Sequence, residues 1–257
     1  MIDSHIHLDA DQYADVAGLI KRARDAGVNA VVTPGVAPNS NRRVLELAHA
    51  HPDFVYAAIG FHPERFDLTD DDLATTLAMV RLHREEICAL GEVGLPWYGE
   101  VAHRSDVIER GRNILEAFAG VATELDLALI LHCPHRTAAE ALKIISDANV
   151  RRAVFHWHKS DAATTRAILD AGYFVSLTPE VVYRDRDQAL ARMLPLNQMM
   201  VETDGPWPYG GSFEGKPTEP AFIADVISAV ASIRGNSIES VEQALAANAK
   251  TLFGISA

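Results

Sequence analysis

The chain has 257 residues, 48% of them hydrophobic and 23% charged, with a formal net charge of −12 from 35 acidic and 23 basic residues. This length accommodates one large domain with a full core, and the composition excludes a disordered or fibrous chain. The acidic balance excludes a general electrostatic grip on a nucleic-acid backbone, but not local binding through metal ions and a few arginines.

No apolar run reaches the length of a membrane span, so no membrane partner is expected. No basic segment followed by an apolar leader is visible. The two cysteines, Cys88 and Cys133, make no disulfide framework. Together these features give a cytoplasmic location as the expectation.

Short apolar, β-branched runs alternate with longer amphipathic stretches. Strand one is expected over Met1 to His7 and helix one over Asp11 to Ala26, closed by Gly27. Strand two spans Val28 to Thr33 and helix two Asn39 to Ala50. Strand three spans Phe54 to Gly60, and Thr69 is the expected N-cap of the next helix. Strand four spans Ile87 to Val93 and a long helix Ser105 to Leu125, where Ile108, Leu115, Phe118, Ala122 and Leu125 recur at helical spacing. Strand five (Leu127 to His132), a helix (Thr137 to Ala148), strand six (Ala153 to His156) and a helix capped by Asp161 follow. Strand seven (Tyr173 to Leu177), a short helix (Arg186 to Leu194) and strand eight (Met199 to Glu202) precede a Gly- and Pro-rich loop. Two helices, Pro220 to Ile233 and Ile238 to Phe253, end the chain.

Eight strand–helix repeats in a chain of this length predict a single-domain (β/α)8 TIM barrel, whose active-site residues sit at the C-terminal ends of the strands. An open doubly wound sheet is the competing architecture. The absence of a glycine-rich nucleotide loop after strand one weighs against it.

The metal-competent side chains follow that rule. His5 and His7 end strand one, where residues two apart face the same way. His62 follows strand three, Glu92 ends strand four, His132 strand five and His156 strand six, and Asp204 follows strand eight. Imidazole and carboxylate together suit borderline divalent ions such as Zn²⁺, Mn²⁺ or Ni²⁺. The set exceeds what one catalytic ion needs. Two divalent ions sharing Glu92, at the separation of about 3.5–4 Å usual for two-metal sites, are therefore expected to activate a water for hydrolysis.

The segments Asp3-Ser4-His5-Ile6-His7-Leu8-Asp9, Gly60-Phe61-His62-Pro63, Gly91-Glu92-Val93-Gly94-Leu95, Leu131-His132, Phe155-His156, Glu202-Thr203-Asp204-Gly205-Pro206 and Asn248 to Gly254 carry a resemblance over essentially the whole chain. In order and spacing they resemble the TatD family of metal-dependent hydrolases, within the amidohydrolase superfamily. The resemblance implies a TIM barrel and a mono- or dinuclear site. His5, His7, Glu92 and Asp204 hold one ion, and Glu92, His132 and His156 the other, with Mg²⁺ added to the candidate metals. It also implies Asp204 as general base and His62 as a substrate contact. The implied substrate is DNA or another phosphoester, attacked as by a 3′→5′ exonuclease.

Three segments depart from the family pattern. Pro96 stands where an aspartate follows the Gly-Leu step, and Pro134 stands where an arginine is usual, with Arg136 as its expected substitute toward phosphate. Thr218 replaces an asparagine before Glu219-Pro220. These positions line the substrate side. They keep open a small-molecule amide, ester or phosphoester hydrolase on the same site, while a non-catalytic scaffold has no need of an intact ligand set. Trp97, Tyr98, Trp157, Trp207 and Tyr209 are expected at the mouth. There they either stack bases, with Trp207 a candidate substrate contact, or wall the pocket. His158 is expected in a loop and Cys133 packed.

Overall fold

The computed structural model of the chain describes residues 1–256. The strands are β1 (Ile2–Asp3), β2 (Ala30–Pro34), β3 (Val55–Ile59), β4 (Ile87–Gly94), β5 (Ala128–His132), β6 (Ala153–Phe155), β7 (Phe174–Leu177) and β8 (Met199–Val201). The helices are α1 (Val16–Asp25), α2 (Pro38–Ala50), α3 (Asp70–Leu82), α4 (Ser105–Leu125), α5 (Thr137–Asp147), α6 (Ala162–Asp170), α7 (Asp185–Met193), α8 (Ile223–Arg234) and α9 (Ile238–Phe253). All eight strands belong to one sheet, in the order β1 to β8. Among the described residues, no single helix is long and apolar enough to cross a membrane.

The chain divides into two compact units. One comprises Met1–Thr33, Leu47–Tyr56 and the segment from Val175 onward; the other comprises Pro34–Glu46 and Ala57–Phe174.

In the first unit β1 pairs in parallel with β2, Asp3 opposite Val31, and β7 with β8, Leu177 opposite Val201. Ile6, Leu8, Leu19, Ile20, Val31 and Phe54 form its buried cluster. Each such side chain contributes about 1.5–3 kcal/mol by leaving water. The first strand is shorter than expected and stops at Asp3. The N–H of Ser4 donates to Val201 of β8, whereas that of Ile6 donates to Val32 of β2. In a strand, N–H groups two apart point the same way, so this switch twists the chain out of the ladder at His5. Helix α1 starts at Val16 rather than Asp11, because the Asp15 side chain accepts the Gly18 N–H at 2.9 Å and caps there.

In the second unit β5 is the central strand. Leu129 pairs with Leu90 of β4 and Ala153 of β6, and Leu131 with Val93 and Phe155. Ala128 through Leu131 are buried, as expected for a parallel strand covered on both faces. Helix α4 packs on β4 and α5 and buries Leu115, Phe118, Ala119 and Ala122 on one face. Thr69 caps α3 in a reciprocal box with Asp72, and Asp161 caps α6, as the sequence predicts.

The feature of this unit that matters for chemistry is a bulge. Between Leu90 and Val93, β4 spends three steps where β5 spends two. The extra residue falls at Gly91–Glu92, and such bulges re-aim side chains. Gly91 has φ 151°, where a side chain is strained, and a Cβ there would stand 2.6 Å from that of Ile130. Gly60 runs against the same bulge, where a Cβ would lie 2.2 Å from the Glu92 nitrogen. Because backbone cannot yield, Gly60→Ala is expected to cost about 2–3 kcal/mol, read as a fall in urea midpoint. A variant as stable as the parent would contradict this packing.

Candidate metal centre

In the first unit the candidate ligands arrive on the segments after β1 and β8. His5 is fully buried and His7 half-buried. Their Nε2 atoms lie 3.2 Å apart, and Asp204 Oδ1 lies 3.3 Å from the former and 3.6 Å from the latter. Atoms bound by one ion at about 2.1 Å sit about 3.0–3.4 Å from one another. This triangle therefore has the size of one coordination face. The strand-alternation argument does not apply, since both histidines lie beyond β1. The twist after Asp3 brings the two rings together instead.

Backbone contacts fix this set. The Asp204 N–H donates to the His5 carbonyl at 2.9 Å and the His7 N–H to the Gly205 carbonyl at 2.8 Å. Asp204 has φ 47°, a left-handed conformation that aspartate and asparagine tolerate better than most residues. Behind the ligands, buried Asp3 accepts the N–H groups of His5 at 3.2 Å and Thr203 at 2.9 Å, together with the Thr203 hydroxyl. Burial pushes its carboxyl up to about 8 in spite of these bonds. Buried Glu202 accepts the Ser176 hydroxyl at 2.7 Å.

In the second unit Glu92 sits on the β4 bulge, His132 ends β5 and His156 follows β6. Glu92 Oε1 lies 2.7 Å from His132 Nδ1, 2.8 Å from His156 Nε2 and 3.1 Å from His62 Nε2. His132 Nδ1 and His156 Nε2 are 3.3 Å apart. The bulge is held by its backbone: Glu92 donates to the Gly35 carbonyl and accepts from the Phe61 N–H. The His156 N–H donates to Leu131 across the β5–β6 ladder. Burial alone would raise the Glu92 carboxyl, but His62, His156 and His132 hold it well below the usual carboxylate range. Burial likewise works against a charged His132, yet the carboxylates of Glu64 and Glu92 raise it.

Each set brings two imidazole nitrogens and a carboxylate oxygen within 2.7–3.6 Å of one another, the donor chemistry of borderline divalent ions. The residues present fit a metal.

His62, the expected substrate contact, has a ring nitrogen within 4.8 Å of donors on both Glu92 and His132, beside the second set. The guanidinium of Arg136 stacks on Trp97, 4.8 Å from the ring centre. Trp207 is 54% exposed and Tyr98 45%, so both can present ring faces. Tyr209 is buried and donates its hydroxyl to the Thr203 carbonyl at 2.7 Å, so it is not a mouth residue. His158 is buried, with Nε2 2.8 Å from the Thr165 hydroxyl. Cys133 is packed, and burial pushes its thiol up.

Sequence reasoning assigned no role to Glu64, Asp3 or Glu202. An acid in an apolar opening strand was a usable signal for Asp3, because buried carboxylates need partners. Glu64 had none, since a glutamate after a proline in a loop is by default a surface residue.

A profile of the family described as TatD related DNase matches residues 2–254. An uncharacterised metal-dependent hydrolase of Haemophilus influenzae is 31% identical, over 98% of this chain and 99% of its own. A protein of Pantoea ananatis named 3′-5′ ssDNA/RNA exonuclease TatD is 30% identical, over 99% of this chain and 100% of its own. The crystal structure of YjjV, a TatD homologue from Escherichia coli, superposes with a TM-score of 0.91 at 26% identity, covering 100% of this chain and 98% of that one. With the strand order, this similarity makes the fold a (β/α)8 TIM barrel.

Proposed function

The chain belongs to the TatD-related DNase family of metal-dependent hydrolases, and from that premise we propose that it shortens single-stranded DNA from the 3′ end. His5, His7 and Asp204 would hold one divalent ion, and Glu92, His132 and His156 a second. The observation that carries this is the repetition of one pattern, a carboxylate and two imidazoles converging within 3.6 Å of one another. The name of the Pantoea relative supports the choice of substrate.

Bound divalent ions supply Lewis acidity toward a phosphoryl oxygen and make water acidic enough to ionise near neutral pH. The chain's own residues orient the reactants and move the protons. Asp204 takes the proton of the attacking water on its carboxylate as that water bonds to phosphorus; the P–O3′ bond breaks, and the proton passes to the departing 3′ oxygen, leaving a 3′-hydroxyl on the shortened strand and a free mononucleotide. His62 donates from Nε2 to an oxygen of the scissile phosphate. Tyr98 and Trp207 offer ring faces to the bases, contributing ~1–3 kcal/mol each. Arg136, spread over Trp97, gives the next phosphate a charge partner.

A 5′-labelled single strand distinguishes this reaction from hydrolysis of small esters. With Mg²⁺ or Mn²⁺ the expected product is a ladder of shortened labelled strands, absent with a chelator and restored by added metal. Metal-dependent cleavage of small esters with the DNA left intact would refute the nuclease reading.

A further inference from the structure

Glu64 lies two residues past His62 and belongs to neither donor set. Its Oε1 accepts the N–H of Trp97 at 2.7 Å and of Tyr98 at 3.1 Å. The same oxygen stands 3.6 Å from His132 Nε2. The other nitrogen of that ring, Nδ1, is the one 2.7 Å from Glu92 and 3.3 Å from His156. Both nitrogens of His132 therefore face carboxylates, one inside the candidate ligand set and one outside it.

A neutral imidazole carries one proton. If Nδ1 presents its lone pair to an ion, the proton sits on Nε2 and points at Glu64. Carboxylates in this position fix the tautomer and ring orientation of metal-ligating histidines and raise their basicity. The 3.6 Å separation is ion-pair distance rather than a hydrogen bond, and contacts of this kind tighten when a site is loaded. Glu64 is also tied to the loop after β4. That loop carries Tyr98, whose ring centre is 6.1 Å from that of His132, and Trp97, against which Arg136 stacks.

We propose that Glu64 is a positioning residue with two linked tasks. It holds His132 with Nδ1 toward the metal, and through the same oxygen it hangs the Trp97–Tyr98 loop beside that histidine. Loading of the metal site and ordering of the aromatic loop are then coupled within one carboxylate's reach. This rests on the reading of His132 as a metal ligand.

The test compares Glu64→Gln, Glu64→Ala and His132→Ala by calorimetric titration with Mn²⁺ and by tryptophan emission, in a background where Trp157 and Trp207 are replaced by phenylalanine. Glutamine keeps an oxygen for the two loop amides but removes the charge facing Nε2. Glu64→Gln is expected to bind the second ion 10–100-fold more weakly, with unchanged melting temperature and unchanged metal-free emission. Activity should recover at excess metal. Glu64→Ala should show the same loss of affinity and should also shift the metal-free emission of Trp97. Metal affinity within twofold of the parent in Glu64→Gln, while His132→Ala loses an ion, would overturn the positioning role. Full metal binding by His132→Ala would overturn the ligand reading beneath it.

Discussion

Replacing Asp204 with asparagine is expected to lower kcat by a factor of about 10²–10⁴, the range for loss of a positioned general base. The substitution tests the base because it spares everything else. Asparagine tolerates the left-handed backbone at this position (φ 47°), and the backbone bond to His5 is retained. Its side-chain oxygen can still face His5 and His7. Folding and most of the metal at the first set should therefore survive, while the charge that draws the proton from water is gone. Single-turnover cleavage of labelled DNA, run beside elemental analysis, separates the two effects. A turnover near that of the parent would remove Asp204 from the proposed role.

The second large effect is at Glu92. Its Oε1 is the common partner of His62, His132 and His156, at 2.7–3.1 Å. Glu92→Ala deletes the only carboxylate of the second set, and two neutral imidazoles hold a hard divalent ion poorly. Metal content should fall by about one ion per chain, and activity should fall at least as far as in Asp204→Asn, about 10³-fold or more. Unchanged stoichiometry would contradict the assignment of Glu92 as a ligand. Gln at this position is a milder change and should fall between the two.

Much of this was legible in the sequence because local chemistry and tertiary demand coincide there. Helix α4 runs over Ser105–Leu125 as its apolar spacing predicts, and Thr69 and Asp161 cap α3 and α6 where their side chains reach the next N–H groups. The candidate ligands were legible because each ends or follows a strand, where parallel architecture concentrates chemistry. What stayed hidden depends on three-dimensional detail. Gly91 inside the strand is a bulge signal, but only the pairing with β5 shows that the bulge falls there and aims Glu92. His5 and His7 meet through a twist beyond β1 rather than through the strand alternation expected of them. Tyr209 follows a Gly-Pro loop and looks exposed, but the loop folds inward and gives its hydroxyl to Thr203. Glu64 draws its significance from His132 and the Trp97–Tyr98 amides, more than thirty residues away.

Anomalous diffraction from crystals grown with Mn²⁺ reads both donor sets at once. Two peaks per chain are expected. One lies at about 2.0–2.3 Å from His5 Nε2, His7 Nε2 and Asp204, and the other at the same distances from Glu92, His132 Nδ1 and His156 Nε2. Peaks confined to other surface carboxylates, with both donor sets closed on themselves, would contradict the two-ion assignment.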